Sequence, residues 1–442
     1  MNLFGRNGTI VLVGHVSKNH ARVFVFNGID DSSPSLISPP CRYDVTFLRG
    51  GCYLVKLYEL IPGTAYKIPI TLTGKTRHVE FVTSAEESKD LTFMFGSCNL
   101  HSLSVITPQE DPCNTLNTLR VDHQVEMMLH LGDQIYADTP NPLFIPTFNH
   151  YQDKYLDSWL DCKGANRLLS KMAHYMIMDD HEIINNYANR IDKELYQEGM
   201  NAYLIFQHSH NPVCKMMGVT RPDLLHYTFI RNGHPFFVLD TRTTRNKAQG
   251  MMISATQEQH LYTWLSMHRD LPYQFVVTST PILSKKRDAA CDNWCSKEYR
   301  LQRNRIFIFL LENEISNAVF LSGDAHCSFT TRGVLRSKHG YKQVSVSEIT
   351  SSPINQIEIE SRAGFEERHM IDSGNLLGVF TSEGFIDDCS NIAVINIKAS
   401  SPIKCENTEL DNSLKEFSIA YRYFNTRTGK EILDGNIVYA KD

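Results

Sequence analysis

Residues 174–187 read HYMIMDDHEIINNY, and this stretch is the best guide to the fold. A run of apolar residues ends abruptly at Asp179, Asp180, His181 and Glu182. The length and composition of the run predict a buried strand. In open α/β sheets, functional sites lie beyond the carboxyl ends of the strands. We therefore expect these charged side chains to face a cleft and not the core.

Five further apolar runs have the same character, and each predicts a buried strand. They are LTFMFGSC (91–98), EMMLHLGD (126–133), PFFVLDTR (235–242), QFVVTSTP (274–281) and NAVFLSGDAH (317–326). A helical pattern separates several of them, for example at residues 256–268. Alternating strands and helices indicate an α/β domain. All of these runs except 274–281 end in a reactive polar residue, namely Cys98, Asp133, Asp240, and Asp324 with His326. This pattern indicates that several strands point at one site.

Residues 1–84 predict an all-β sandwich, because short segments rich in β-branched and aromatic residues alternate with turn signals. Within LIPGTAYKIPITL (60–72), Tyr66 is placed to anchor a strand corner through its hydroxyl. The segment resembles the corner of fibronectin type III modules, and a hairpin of any other β-sandwich is the alternative. The polar stretch TSAEESKD (83–90) predicts a linker. We expect two domains, residues 1–84 and 90–442.

Composition narrows the class of protein. The 442 residues are 42% hydrophobic and 21% charged, which is typical of a soluble globular protein. A net charge of −5 without a long basic run argues against a nucleic-acid partner, and no apolar stretch is long enough for a transmembrane helix. The 11 scattered cysteines favour reduced thiols. We expect a monomer that is cytoplasmic as the sequence stands, or secreted or periplasmic if an export leader has been removed.

The residue types at the strand ends indicate a metal site. Converging carboxylates repel one another unless a cation holds them. Carboxylates suit hard cations such as calcium, magnesium or manganese, whereas a thiolate and an imidazole suit a transition metal. Tyr136 follows Asp133 by three residues, and a phenol is a ligand only beside a strongly acidic ion such as ferric iron. The mixed set fits two unlike metals that share a bridging carboxylate.

The ordered motifs resemble one known family. GSCN, HLGDQIYAD, MDDHEIINNYA, LDTRTTR, LSGDAHCSF and SEITSSPI, spread from residue 91 to about 354, resemble the alkaline phosphatase D-like (PhoD-like) branch of the metallophosphoesterases. The resemblance implies a four-layer α/β/β/α core with two or more metal ions between the sheets. It also implies a small fibronectin-like domain upstream, which fits residues 1–84.

The resemblance further implies roles for individual residues. Fe3+ and Ca2+ are the metals implied, with Zn2+ or Mn2+ as alternatives. The Fe3+ ligands implied are Cys98, Asp133, Tyr136 and His326, and the ligands of the second cation are Asp133, Asp180 and Asp324. His181 would contact phosphate or protonate the leaving oxygen, and Arg242 would hold a phosphate oxygen and stabilise developing charge. Asn185, or Asn186 beside it, would reach the same cleft from one turn further on.

The implied activity is hydrolysis of a phosphate mono- or diester by a metal-bridged hydroxide, in a small-molecule or lipid substrate. Two alternatives remain at this point. The β-domain would be the working surface of a partner-binding protein, with the metal domain as its scaffold. Otherwise the enzyme would be a phospholipase-type diesterase that acts on a phospholipid head group.

Overall fold

The structure is a computed structural model that describes residues 8–28, 32–36, 41–72, 75–101, 111–140, 144–188, 196–287, 293–356, 364–398 and 415–441. Within these ranges, no helix is long and apolar enough to cross a membrane. No disulfide bond joins two cysteines of these ranges.

The N-terminal region forms two antiparallel sheets. Its strands are β1 (Ile10–Val16), β2 (His20–Phe26), β3 (Ser35–Leu36), β4 (Arg42–Phe47), β5 (Cys52–Tyr58), β6 (Ala65–Leu72) and β7 (Lys75–Val82). One sheet has the order β1-β2-β5-β4 and the other the order β3-β6-β7. The hydroxyl of Tyr66 accepts a hydrogen bond from the backbone N–H of Ile61 at 2.8 Å, which confirms the predicted tyrosine corner. The sequence therefore identified both the sandwich and its corner.

This sandwich is packed closely against the rest of the chain. The backbone N–H groups of Val13 and His15 donate to the carbonyl oxygens of Leu169 and His210 at 2.9 and 2.8 Å. On the outer face of β2, Phe24 packs against Phe206 with ring centroids 5.3 Å apart. The division of the chain at residues 84 to 90 stays a prediction, and the two parts share one hydrophobic cluster.

The remainder is an α/β domain with two large sheets. Its strands are β8 (Leu91–Gly96), β9 (Met127–Leu131), β10 (Ala173–Ile177), β11 (Lys215–Met216), β12 (Val219–Thr220), β13 (Tyr227–Arg231), β14 (His234–Val238), β15 (Gln274–Val277), β16 (Ala318–Ser322), β17 (Ser328–Ser337), β18 (Gln343–Thr350), β19 (Arg368–Ser373), β20 (Leu376–Ile386), β21 (Asn391–Ile397), β22 (Lys415–Asn425) and β23 (Glu431–Lys441). A six-stranded sheet has the order β10-β9-β8-β21-β22-β23, and an eight-stranded sheet has the order β13-β14-β15-β16-β18-β17-β20-β19. Strands β11 and β12 form a separate hairpin.

Helices cover the outer faces of the two large sheets. The α-helices are α1 (Cys113–Asp122), α2 (Phe148–Leu156), α3 (Lys163–Leu168), α4 (Gln197–Tyr203), α5 (Ala255–Met267) and α6 (Arg300–Glu312). Short π-helical segments follow α2 and α4, at Asp157–Asp161 and Leu204–His208, and a 3-10 turn lies at Lys247–Gln249. Helices α1 and α3 pack on the six-stranded sheet, and α5 and α6 pack on the eight-stranded sheet.

The two sheets meet face to face through aromatic side chains. Phe93 of β8 contacts Phe236 of β14 and Phe275 of β15 edge-on, with ring centroids 5.5 and 5.7 Å apart. Edge-to-face contacts of this kind add to the free energy gained by burying the rings. The order of layers is therefore helix, sheet, sheet, helix, and the predicted α/β/β/α core is confirmed.

All six apolar runs are strands, and they divide equally between the two sheets. Strands β8, β9 and β10 are parallel neighbours in one sheet, and β14, β15 and β16 are parallel neighbours in the other. The carboxyl ends of both sets point to the same end of the domain, because side chains that follow β10 contact side chains that follow β14 and β15. The fold thus brings the polar residues after these strands together.

Candidate active site

Backbone conformation marks the strand ends as unusual. Cys98, Asp133, Asp324 and His326 have φ angles of 57°, 53°, 61° and 49°. Residues other than glycine rarely adopt this left-handed region, and the cost is tolerated mainly where function requires it. All four were predicted metal ligands. The strained conformation turns each residue sharply out of the end of its strand.

Two glycines allow the strand ends to approach. A Cβ atom on Gly132, whose φ is 102°, would lie 2.3 Å from the Cβ of Asp179, and one on Gly323 would lie 2.5 Å from the Cβ of Ser97. No larger residue fits at either position without moving the neighbouring backbone. Each Gly-Asp pair in the sequence is therefore a close approach between two loops, and not simply a turn.

Asp133 lies at the centre of the site. Its Oδ2 accepts from Sγ of Cys98 at 3.6 Å and from the hydroxyl of Tyr136 at 3.4 Å. Its other oxygen, Oδ1, accepts from the backbone N–H of His181 at 3.2 Å. The two oxygens thus face different neighbours, Oδ2 the side chains of Cys98 and Tyr136 and Oδ1 the backbone of His181, and a carboxylate placed in this way can bridge two ions.

The remaining carboxylates converge on Asp133. One oxygen or nitrogen each of Asp133, Asp180 and His181 lies within 4.8 Å of the others, and the same holds for Asp133, Asp179 and Asp324. We call Cys98, Asp133, Tyr136, Asp179, Asp180 and Asp324 the strand-end cluster. Of these, Asp179 is the one residue that is not among the ligands implied by the sequence.

The strand-end cluster fits metal ions on electrostatic grounds. Burial raises the pKa of Asp133 well above its ordinary range, and the charges of Asp180 and Asp179 raise it further. Burial likewise raises the pKa of Cys98 and of Tyr136. Acidic groups so buried and so close are stable as anions only beside a compensating cation. The donor set includes carboxylate, thiol and phenol groups, which suits unlike metals.

His326 and Tyr136 are linked through a residue that sequence reasoning missed. The side-chain amide nitrogen of Gln356 lies 3.4 Å from both the hydroxyl of Tyr136 and Nε2 of His326. Burial lowers the pKa of His326 to about 4, so this imidazole is neutral at pH 7 and has a lone pair to offer. Gln356 follows the segment SEITSSPI, and no spacing in the sequence would have identified it.

Glu182 ties together the loops that carry the ligands. Its Oε2 accepts from the backbone N–H groups of Asp133 and Asp179 at 3.0 and 2.9 Å. Its Oε1 accepts from the backbone N–H of Gln134 at 2.6 Å and from the side chain of Gln207 at 3.0 Å. Burial raises the pKa of the carboxyl to about 7. These contacts show that Glu182 orients the backbone beside Asp133 and Asp179.

Arg242 lies behind the strand-end cluster and is fully buried. Its Nε donates to Oδ1 of Asp179 at 2.5 Å, and that oxygen also accepts from Ser279. Its guanidinium also donates to the carbonyl oxygen of Tyr187 at 3.2 Å and lies 3.6 Å from Oδ1 of Asp180. These contacts give Arg242 a position from which it orients two acidic residues. A contact between Arg242 and a phosphate oxygen stays a prediction.

His181 is held at the edge of the site by two neighbours. Its Nδ1 lies 2.8 Å from Oδ1 of Asp138, and its ring stacks on Tyr136 with centroids 4.3 Å apart. Burial lowers the pKa of His181, but the hydrogen bond to Asp138 and the charge of Asp180 outweigh it and raise this pKa above its ordinary value. Asp138 was missed, although it closes the motif GDQIYAD and follows Asp133 by five residues.

The surroundings of the cluster include Asn185 and Asp240, which the sequence also placed near the site. The residues after His181 form turns and no helix within the described part of that segment. Asn185 is exposed, and its backbone N–H donates to Oδ2 of Asp138 at 2.8 Å, so a contact of its side chain with substrate stays a prediction. Asp240 does not join the cluster, because its carboxylate accepts from the backbone N–H groups of Arg242 and Thr243.

Comparison with known proteins gives consistent results. Residues 107–380 match the family model of the PhoD-like phosphatases. The chain is 23% identical over 363 residues to alkaline phosphatase D of Bacillus subtilis (strain 168), a match that covers 71% of this chain and 57% of that protein. The chain thus spans little more than half the length of this relative. A solved structure of PhoD matches with a TM-score of 0.68 at 15% identity, over 98% of this chain and 90% of that one, which is a likeness of fold.

Proposed function

The chain belongs to the PhoD-like phosphatase family, and from this premise we propose that it hydrolyses phosphate mono- or diesters at the strand-end cluster. The observation that carries the proposal is the convergence of buried carboxylates, a thiol and a phenol on Asp133. A purely structural role would be served better by fewer buried acidic groups. The carboxylates become favourable once cations are bound.

We assign the ligands as follows. Cys98, Asp133, Tyr136 and His326 would hold a ferric ion, and Asp133, Asp180 and Asp324 would hold Ca2+, with Zn2+ or Mn2+ as alternatives for either ion. Asp179 lies close enough to Asp133 and Asp324 to contribute to the second site. When bound, the metal ions supply an acidified water molecule and positive charge opposite the phosphoryl oxygens.

The protein's own residues then have two tasks in arranging the site. Asp133 contacts Cys98 through one oxygen and the backbone of His181 through the other, and so fixes the relative position of these two parts of the site. Glu182 and Arg242 hold the ligand loops and the carboxylates of Asp179 and Asp180 in place. This fixed arrangement means that little reorganisation is needed as charge develops in the transition state.

His181 is the residue we assign to the leaving group. Asp138 accepts a hydrogen bond at Nδ1, which leaves Nε2 of the same ring to donate a proton to the departing oxygen. The stacking on Tyr136 restricts the rotation of the ring. A carboxylate that orients and charges an imidazole is a common way to prepare a general acid.

A reconstitution experiment tests the proposal. Protein stripped with a chelator and reloaded with Fe3+ and Ca2+ should hydrolyse nitrophenyl phosphate, bis(nitrophenyl) phosphate or a short-chain phospholipid, each assayed separately, and the stripped protein should not. Asp180→Asn should lose this activity. Asp240→Asn is the matched control, because Asp240 also follows a strand but lies outside the cluster.

The three substrates separate the alternatives. Preference for the phospholipid would indicate a phospholipase-type diesterase. Failure of fully metal-loaded protein on all three esters would contradict phosphoester hydrolysis and favour a partner-binding role. Equal activity of Asp180→Asn and wild type would show that the chemistry lies elsewhere.

A further inference from the structure

A second cluster of metal-ligating side chains lies outside the active site. Cys214 precedes the β11–β12 hairpin, His226 immediately precedes β13, and His260 is in α5. Sγ of Cys214, a ring nitrogen of His226 and a ring nitrogen of His260 all lie within 4.8 Å of one another. We call these three residues the Cys–His cluster. It lies on the outer side of the eight-stranded sheet, where α5 packs.

The distances suit a tetrahedral metal ion. Nε2 of His226 lies 3.5 Å from Sγ of Cys214 and 3.0 Å from Nδ1 of His260. Around a tetrahedral zinc ion, bonds of about 2.3 Å to sulfur and 2.0–2.1 Å to nitrogen place sulfur about 3.5 Å from nitrogen and two nitrogens about 3.3 Å apart. Small movements of the side chains would therefore complete the coordination.

Hydrogen bonding alone satisfies this arrangement poorly. Nε2 of His226 carries either one proton or one lone pair, yet it faces both Sγ of Cys214 and Nδ1 of His260. Once Nε2 makes a hydrogen bond with Nδ1 of His260, in either direction, it has no further proton or lone pair for the Cys214 thiol. A cation removes the conflict, because all three atoms then present lone pairs to it.

The burial of these three residues favours a bound metal ion over a charged thiolate or imidazolium group. Cys214 and His226 are 0% and 2% exposed. Burial lowers the pKa of His226 to about 3 and also lowers that of His260, so both rings are neutral at pH 7. Burial raises the pKa of Cys214 to about 11, so the thiol ionises at neutral pH only when a metal takes the proton's place.

We propose that Cys214, His226 and His260 bind a zinc ion, separate from the metal ions of the active site. One thiolate and two imidazoles form a donor set that suits Zn2+, and three protein ligands leave one coordination position open. His260 also lines a cavity of about 390 Å3 together with Met216, Met217 and Met267. Water or a small soft donor entering through this cavity would take the open position.

Bound zinc would also fasten the hairpin to the domain. Cys214 closes the base of the hairpin loop, since its carbonyl oxygen accepts from the N–H of Arg221 at 2.8 Å. Zinc would join this loop and the start of β13 to α5.

Zinc titration of chelator-treated protein tests the proposal. After excess zinc is removed by desalting, Cys214→Ser and His260→Asn should each retain one equivalent less than wild type. Cys52→Ser is the matched control, because Cys52 is equally buried but its thiol donates to the carbonyl oxygen of Gly50 at 3.8 Å and lies outside the Cys–His cluster. It should retain as much zinc as wild type. Equal zinc content in wild type, Cys214→Ser and His260→Asn would overturn the proposal.

Cobalt distinguishes this site from the thiol of the active site. In the Cys98→Ser variant, bound Co2+ should still show a thiolate-to-cobalt charge-transfer band in the near ultraviolet, and adding Cys214→Ser should abolish it. Absence of the band from Cys98→Ser would also contradict the proposal. If Cys214→Ser fails to fold, His260→Asn decides, because His260, at 9% exposed, is the least buried of the three ligands and Asn keeps a polar side chain there.

Discussion

Replacing Glu182 by Gln should weaken metal binding while leaving the fold intact. The carboxylate accepts three backbone N–H bonds and one side-chain bond, and two of the backbone groups belong to Asp133 and Asp179. The Gln amide would turn its NH2 group toward Gln207, whose own amide can flip to accept from it. The backbone N–H of Gln134 then loses its acceptor.

The size of the effect follows from that single loss. A buried N–H left without an acceptor costs about 1–3 kcal/mol. Because the bond holds one ligand loop against the other, most of this cost should appear in metal binding. We therefore expect the dissociation constant for metal to rise about 10- to 100-fold, the range usual for residues that support ligands.

Competition against a coloured chelator measures this constant directly. Glu258→Gln is the control, because Glu258 is also a buried carboxylate that accepts from Tyr262, Gln302 and Arg305, but between α5 and α6. It should leave the metal affinity unchanged. An unchanged dissociation constant in folded Glu182→Gln, or equal losses in both variants, would show that Glu182 does not support the metal ligands.

Three further predictions concern single residues. Tyr136→Phe should abolish the visible absorption of the iron-loaded, oxidised protein, since a ferric–phenolate contact gives such colour; an unchanged spectrum excludes Tyr136 as a ligand. His181→Ala should keep its metals and lower kcat about 100-fold or more on an alkyl phosphate, but less on nitrophenyl phosphate, whose leaving group needs little protonation; equal losses on both would assign His181 to phosphate binding. His369 is buried against Phe380, and burial is the main reason why its pKa is lowered to about 4. Its neutral form therefore stabilises the fold above pH 6.5, and this contribution is lost as the pH falls toward 4. His369→Phe should therefore lose less stability than wild type between pH 6.5 and 4, by on the order of 2 kcal/mol in urea unfolding; parallel pH profiles would contradict this.

The parts of the fold that the sequence predicted are those with local signals. Six buried strands and helix α5 show clear periodicity and length, and reactive residues at strand ends identify the site because parallel strands of one sheet end at one edge. The corner at Tyr66 was readable because its turn residues are contiguous.

The parts that escaped prediction depend on contacts between distant residues. Gln356 reaches Tyr136 across 220 positions, and no local pattern marks it. The burial of Arg242 behind Asp179 was also invisible, because a strand-end arginine looks the same whether it faces substrate or a carboxylate. The packing of the N-terminal sandwich on the α/β domain could not be predicted either, because it depends on complementary surfaces formed by residues far apart in the sequence. The hydrogen bond from Val13 to Leu169 is one such contact.

A paired measurement on Asp133→Asn tests whether the strand-end cluster binds metal ions and hydrolyses phosphate esters. Asp133 is the residue on which both halves of the site converge, so metal content and hydrolysis should fall together. Elemental analysis of the purified variant, with nitrophenyl ester assays on the same sample, should show at least one metal ion fewer than wild type and no measurable turnover. A variant that retains both metal ions at wild-type stoichiometry and hydrolyses substrate normally would contradict the account.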